Sequence, residues 1–369
     1  MRSSIFFAFF AKFLYNFSMA ASKTRLSARF VARRARQAYK IATLGSHSAL
    51  QILKGARDEG FGTICVATSD RVSLYKRFKF IDNIYEIPKF SHFPKIENKL
   101  IADSAIIIPH GSFVAYLGIE KNKKMKVAYF GNKKVLDWEA DRLKQREWMQ
   151  KAHVPVPRRF SKHSKINRPV IVKSYGASGG HGYFFAKNQK EFEVRIKNFR
   201  ARDFIIQEYV IGVPLYIHYF YSPLSKTLEI LSIDKRYETN VDSLGRIPSQ
   251  NQQGLGIEPS FVVVGNSPLA LRESLLVEAF AMGERVVATS KDLFAGGIWG
   301  PFCLETIITP EQKFSVIEIS CRIVAGTNLF INGSPYASLY YNKEVSTGRR
   351  IAIEIKEAIR TGKLKKILN

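Results

Sequence analysis

Two apolar, β-branched runs near the C-terminal end constrain this chain most. Residues 302–308 read Phe-Cys-Leu-Glu-Thr-Ile-Ile, and residues 314–322 read Phe-Ser-Val-Ile-Glu-Ile-Ser-Cys-Arg. Both read as strands, and the polar stretch Thr309–Lys313 between them predicts a hairpin. With the turn at Glu311-Gln312, Glu305 falls directly opposite Glu318. Opposed side chains share one face of the sheet, with Cβ atoms about 4.5–5.5 Å apart. Carboxylates that close repel unless something positive lies between them. A hard divalent cation is the natural occupant, and Mg²⁺ is often held by one or two carboxylates plus substrate phosphates. The plain alternative is an exposed hairpin face with two unrelated glutamates. Arg322 and Asn328, which follow within one short segment, favour the cation.

The 369-residue chain is long enough for two or three domains. With 46% hydrophobic and 12% aromatic residues it is not a disordered protein. The net charge of +26 is not confined to a tail. Residues 1–40 hold nine Lys/Arg and no Asp/Glu, yet the rest still carries 48 basic against 31 acidic side chains. No zinc-finger spacing, aromatic ribonucleoprotein motif or basic heptad helix accompanies that charge, so no specific nucleic-acid partner is expected. Cys65, Cys303 and Cys321 sit in apolar runs without metal or redox spacing. Free buried thiols point to a reducing, cytoplasmic setting. Ile5–Phe17 is Phe-rich but interrupted by Lys12 and Asn16, too short for a membrane span. Residues 1–39 are expected to be a disordered basic extension, dispensable at least as far as Met19.

From Lys40 the pattern is α/β. Strands are expected at Lys40–Leu44, Thr63–Thr68 and Ser104–Pro109, with a helix over Ser46–Glu59. Such alternation means a mostly parallel sheet. Residues 40–135 are expected to form an N-terminal α/β substrate-binding domain. A helix over Val135–Lys151 ends at the prolines of Val154-Pro155-Val156-Pro157, a domain junction. Residues 136–212 read as a linker helix plus a lid subdomain. Residues 213–369 read as a strand-rich subdomain with strands at Ile217–Tyr221, Leu228–Asp234 and Phe261–Gly265, the carboxylate hairpin, and a closing helix over Arg349–Thr361.

Residues 170–184 read as strand, glycine loop, strand. Glycines such as Gly179 and Gly180 let backbone N–H groups approach phosphate oxygens, and Lys173 at the strand end is placed to reach them. The loop is not a Walker A motif, which needs a Lys-Ser/Thr closing it, nor a Rossmann fingerprint, because a strand follows instead of a helix. A ligand-free glycine hairpin is the alternative; the carboxylate pair downstream favours a nucleotide. The strand Phe204–Ile211 can offer backbone groups near Val210 to adenine, and Glu208 can take ribose hydroxyls. Read alone, it would be plain core. Gly45-Ser46-His47-Ser48 lies between a strand and a helix, where a helix N-terminus seats phosphate.

These elements together resemble an ATP-grasp ligase: a strand–Lys–glycine-loop–strand lid, a Gln-Glu-Tyr-Val hinge strand, and metal carboxylates closing at Glu318-x-x-x-Arg322. The resemblance implies an α/β and α+β chain, in which an ATP-grasp fold follows a Rossmann-like N-terminal domain. The common ending is Glu-x-Asn-x-Arg, and here Ser320 takes the Asn place. A closer resemblance spans almost all of residues 40–369. Ile41–His47, Pro109–Phe113, Asp234–Glu238, Gly265-Asn266 with Arg272–Ser274, Gly300–Glu305 and Gly326–Asn328 resemble archaeal formate-dependent 5-formaminoimidazole-4-carboxamide ribonucleotide (FAICAR) synthetases. That family makes formyl phosphate from formate and ATP, and the amine of 5-aminoimidazole-4-carboxamide ribonucleotide (AICAR) then attacks it. The resemblance implies ATP and Mg²⁺ (or Mn²⁺) as cofactors. It implies that His47, Ser112 and Asn266 contact the ribonucleotide, that Glu238 contacts ATP, and that Glu305 and Glu318 hold the metal. Lys173 and Arg322 would offset charge on the transferred phosphoryl group. Singly, each residue has a bland reading: Ser112 and Asn266 as turn formers, Glu238 as a surface partner of Lys235 or Arg236. The glycine loop departs from the family, with Ser178 and His181 where basic residues are common. A homo-oligomer is expected. The rival readings are an ATP-grasp ligase for another carboxylate and amine, and a non-catalytic basic nucleotide- or RNA-binding protein.

Overall fold

The computed structural model describes residues 38–161, 164–174, 183–200, 203–252 and 262–369. Gly179, Gly180, Ser178, His181, Phe261 and nearly all of the N-terminal extension lie outside the described residues.

The chain enters on β1 (Lys40–Leu44), followed by α1 (Ala49–Asp58), β2 (Gly62–Thr68), α2 (Ser69–Tyr75), β3 (Asn83–Ile87), β4 (Ala105–Ile107) and β5 (Ala128–Tyr129). They form a parallel sheet in the order β3-β2-β1-β4-β5. The central strands are buried on both faces, which is why Ile41–Leu44 and Thr63–Ala67 read as unbroken small or apolar runs.

The single helix expected over Val135–Lys151 is two, α3 (Leu136–Glu139) and α4 (Arg142–Lys151). Asp141 makes the break. It leaves helical backbone, and its side chain accepts from the N–H groups of Leu143 and Lys144, as an N-cap does. Next come β6 (Arg159–Phe160), β7 (Val170–Ser174), β8 (Tyr183–Ala186), α5 (Gln189–Lys197) and β9 (Phe204–Glu208). Their sheet has the order β6-β9-β7-β8 and its own core of Val170, Val172, Phe184, Phe192 and Ile206.

The third sheet runs β12-β11-β10-β13-β14. Its strands are β10 (Val213–Ser222), β11 (Thr227–Glu238), β12 (Val263–Pro268), β13 (Gly300–Ile308) and β14 (Phe314–Ser320), with α6 (Glu273–Leu293) before β13. One face is apolar. Ile217, Tyr219, Phe302, Leu304 and Val316 pack there on Met282 and Val286 of α6 and on Trp148 of α4. The opposite face carries Tyr216, His218, Asp234, Arg236, Glu305 and Glu318, as the period of two requires.

The closing helix α7 (Thr347–Arg360) returns to the first sheet and crosses α1. The crossing needs two glycines: a Cβ on Gly55 would lie 2.3 Å from the Arg349 nitrogen, and one on Gly348 would lie 2.5 Å from the Gln51 carbonyl. Two ion clusters fix α7. Arg350 clasps Glu229 of β11 with two nitrogens at 2.9 Å and meets Glu354 at 2.8 Å. Glu59, 3% exposed, accepts from Lys343, Arg349 and Lys356.

Glu59 generates a prediction. Burial raises its carboxyl, but the three cations outweigh burial and bring it down to about 2. A carboxyl depressed on folding adds stability above its ordinary range and loses it as pH falls through the folded value. Unfolding free energy should therefore drop between pH 4.5 and 2, and less so in Glu59→Gln. At neutral pH that variant should lose about 1–3 kcal/mol, less than for a fully buried pair because the cations stay partly hydrated. Urea titrations at stepped pH measure both.

Candidate active site

Glu305 and Glu318 are Cα partners in the β13–β14 ladder. The hairpin reaches that pairing by an unexpected route. Ile308 pairs with Phe314, Ile307 with Ser315 and Thr306 with Val316. The turn therefore centres on Glu311 and not between Glu311 and Gln312. It closes through Gln312 N–H to Thr309 O at 2.9 Å, with Gln312 at φ 59°. A regular ladder would then set Glu305 opposite Ile317, and a one-residue slip puts a side chain on the wrong face. A β-bulge at Ile317 absorbs the extra residue and restores the carboxylate pair. Beside it, Val316 N–H donates to Pro155 O at 2.7 Å, which ties β14 to the chain leaving α4.

The pair is electrostatically strained. Burial raises the Glu305 carboxyl, and the nearby Glu318 raises it further; Arg236 and Arg322 pull it down. Arg236 Nη2 lies 3.4 Å from Glu305 Oε1, and its guanidinium sits 3.4 Å from the centre of the Tyr216 ring. Lys173, at the end of β7, is lowered by burial and by Arg142, while Glu318 and Glu305 act in the opposite direction. Lys173, Arg142, Arg146, Arg159 and Glu318 line an open cleft among α4, the small sheet and β14. A cleft lined by several cations and one carboxylate suits a polyanion accompanied by a cation. Among the described residues no group of three or more His, Cys, Asp or Glu side chains could hold a metal. Glu305 and Glu318 offer two carboxylates on one sheet face, so a cation placed there would need further ligands from outside the pair. Ser320, in the expected Asn place, is buried and pairs with Cys303.

The second half of the site lies at the C-terminal end of β1. Helix α1 starts at Ala49 without a side-chain cap and with no acid in its first turn, leaving its amide dipoles open to an anion. His47 adopts φ 53°, a conformation uncommon for a residue with a side chain. It stacks on His110 at 5.2 Å, and Ser112 Oγ donates to Ser46 Oγ at 3.0 Å. His110 Nε2 lies 3.0 Å from Leu44 O and must donate to it, so Nδ1 accepts from Ser112 N–H. His110 is buried, and burial holds its imidazolium form down, to about 3. His47 stands at the open mouth; partial desolvation, then Arg322 and Arg236, lower it as well. Both shifts favour the neutral imidazole; the two nitrogens of His110 are spent within the fold, and only His47 faces outward.

The two halves meet at Arg322. Its Nε sits 3.0 Å from Glu139 Oε1 of α3, an ion pair without hydrogen-bond alignment. A Cβ built on Gly111 would lie 2.9 Å from His47 Nε2 and 3.5 Å from Arg322 Cζ, so ring and guanidinium flank one glycine. Asn328 Nδ2 donates to His47 O, and Gln51 of α1 donates to Asn328 and Thr327. Asn266 donates to buried Asp234 at 2.7 Å.

The structure thus gathers Glu305, Glu318, Lys173, Arg322, His47 and Ser112, with Asn266 on the same sheet face. Glu238 is half-buried, and its carboxyl is raised by burial against the pull of Arg236. Burial and then the Glu238 charge raise Tyr209, so Glu238 and the stretch beside Val210 lie close. Glu208 differs from expectation: its carboxylate is taken up by Arg168 at 2.8 Å and by Arg158 N–H at 3.2 Å. Sequence reading missed Arg236, Asp234, Arg142, His110 and Glu139. Asp234, Arg236 and Glu238 did carry a signal, charges at every second residue of one strand.

A parallel sheet, a small antiparallel sheet and a larger antiparallel one together make the ATP-grasp fold. The ADP complex of an N5-carboxyaminoimidazole ribonucleotide synthetase superposes with a TM-score of 0.60 at 12% identity, covering 86% of this chain and 77% of that one. Residues 41–160 match the family described as "Protein of unknown function (DUF1246)", and residues 186–369 match "Domain of unknown function (DUF1297)". A 5-formaminoimidazole-4-carboxamide-1-(beta)-D-ribofuranosyl 5'-monophosphate synthetase from Pyrococcus horikoshii is 53% identical over 337 residues, covering 89% of this chain and 99% of the relative. Its namesake from Nitrosopumilus maritimus is 43% identical over 336 residues, covering 89% of this chain and 98% of the relative. The crystal structure of an IMP biosynthesis protein PurP from Thermococcus kodakaraensis superposes with a TM-score of 0.72 at 30% identity, covering 89% of this chain and all of that one. The chain belongs to the FAICAR synthetase family.

Like charges opposed across a ladder destabilise. Glu318→Gln should therefore melt at or above the wild-type temperature, gaining roughly 0.2–1 kcal/mol. Mg²⁺ with ATP is expected to raise the melting temperature of the wild type and not that of the variant. Differential scanning fluorimetry with and without Mg·ATP checks both.

Proposed function

We propose that this protein formylates AICAR to FAICAR with formate and ATP, through formyl phosphate, as a step of purine biosynthesis in the cytosol. The observation that carries the reading is the convergence at Arg322. On one side lie the opposed carboxylates and the cationic cleft; on the other lies the anion-ready mouth of β1 and α1 with His47 and Ser112. ATP with Mg²⁺ or Mn²⁺ is assigned to the cleft and the ribonucleotide to the mouth. Residues 40–135 then form the substrate-binding domain, 136–212 the linker and lid, and 213–369 the subdomain holding the cation.

Formate is a weak nucleophile and a poor acyl donor. Its oxygen attacks the γ-phosphorus of ATP, ADP leaves, and the AICAR amine attacks the resulting acyl carbon, expelling phosphate. The protein supplies position and charge, the main levers in phosphoryl transfer. A cation held by Glu305 and Glu318 supplies charge neutralisation between the phosphates when bound. Lys173 and Arg142 line the path of the transferred phosphoryl group. Arg322 and Arg236 face the side from which formate and amine arrive. His47 and Ser112 orient the ribonucleotide, and Glu238 beside Tyr209 and Val210 borders the nucleoside end.

The test is phosphate release with ATP, Mg²⁺, formate and AICAR, each omitted in turn, with FAICAR identified by mass. Full release should require all four. Release that persists with another carboxylate in place of formate would favour the rival ligase reading. Glu305→Gln or Glu318→Gln should lower turnover by roughly 100-fold or more. His47→Ala should weaken AICAR binding by about 1–3 kcal/mol, the scale of unpaired polar groups, and leave Mg·ATP binding near normal. Separate calorimetric titrations of the two ligands decide that point.

A further inference from the structure

Asp234 lies on β11 at 0% exposure, surrounded on three sides. His218 Nε2 of β10 is 2.5 Å from its Oδ1, and Asn266 Nδ2 of β12 is 2.7 Å from its Oδ2. A Cβ on Gly326 would lie 2.2 Å from Oδ1, so only glycine lets that segment close over the carboxylate. The same segment continues to Asn328, which holds the His47 carbonyl. Carboxylate oxygens accept, and both facing nitrogens must donate. His218 therefore commits its Nε2–H and Asn266 its amide NH₂ to Asp234. The amide of Asn266 cannot turn over without setting oxygen against oxygen. Its Oδ1 is left as an acceptor on the sheet face where Arg236 stands opposite Asn266 in the ladder.

We propose that Asp234 is a positioning residue, braced by His218 and Gly326, that fixes the Asn266 amide so that its Oδ1 accepts from an N–H of the ribonucleotide. The proposal rests on the assignment of Asn266 to the ribonucleotide side of the site. Its consequence is specificity. A held acceptor admits a substrate with an N–H at that point and disfavours one that presents a lone pair, because the site's polar group would then be unpaired.

A change of polarity separates this role from a merely structural one. In Asp234→Asn, the Oδ1 of the new amide goes to the His218 donor. Its NH₂ then faces Asn266, which must turn and present NH₂ to the substrate. In Asn266→Asp, two carboxylates face each other. In the double variant Asp234→Asn/Asn266→Asp, the NH₂ at 234 donates to the carboxylate at 266, and an acceptor faces the substrate again. Wild-type turnover of AICAR is measured first and tests the functional reading by itself. KM for AICAR and KM for ATP are then measured for the three variants, with melting temperatures. Each single variant should raise KM for AICAR by roughly tenfold, the scale of one misdirected hydrogen bond, with KM for ATP within about twofold. The double variant should recover most of that loss. If Asp234→Asn does not fold, the comparison of Asn266→Asp with the double variant carries the same reading. A double variant no better than Asn266→Asp, or equal losses for AICAR and ATP, would overturn the proposal.

Discussion

The site depends on holding two glutamates opposite each other on adjacent strands, an arrangement that their charges oppose. What holds them is on the other side of the sheet. Leu304, Val316 and Ile319 are buried against Val286 and Trp148, and burying each such side chain is worth about 1.5–3 kcal/mol. That exceeds the repulsion of one opposed pair, so the register is set by the core and the carboxylates follow. The bulge at Ile317 is the fine adjustment, since without it the core face and the carboxylate face could not both be satisfied.

A second consequence is the coupling between two parts of the chain that are distant in sequence. Arg322 follows the end of β14, pairs with Glu139 of α3 and flanks Gly111 with His47. Gly326 packs on Asp234, and Asn328 reaches the His47 backbone. One short segment therefore touches the sheet that carries the carboxylates, the strand that carries Asn266, and the mouth at β1. The Glu59 and Arg350 clusters hold the first and third sheets together around it.

Much of this was legible in the sequence, for identifiable reasons. The parallel strands announced themselves as apolar runs because they are buried on both faces. The carboxylate pair was reached from a turn placed at Glu311-Gln312; the real turn is centred on Glu311, and the bulge makes up the difference. The bulge was not visible, because it answers to tertiary contacts such as Val316 with Pro155. The break at Asp141 went unread, although an Asp at a helix start is a capping signal. Glu208 was assigned to ribose because its partners, Arg168 and the Arg158 backbone, lie just ahead of the two strands that flank β9, an order that sequence alone does not give. His110 and Arg236 went unread because each acquires its role from a residue far away in the chain, Leu44 in one case and Glu305 in the other.

The central claim is that formate is activated by taking the γ-phosphoryl group at the carboxylate pair. The most direct measurement follows oxygen. The protein is given formate labelled with oxygen-18, together with ATP, Mg²⁺ and AICAR, and the released phosphate is analysed by mass. If formate oxygen attacks phosphorus and the amine then displaces phosphate from carbon, one labelled oxygen appears in each phosphate, and the product's formyl group keeps the other. Phosphate released without label, while FAICAR still accumulates, would contradict the account.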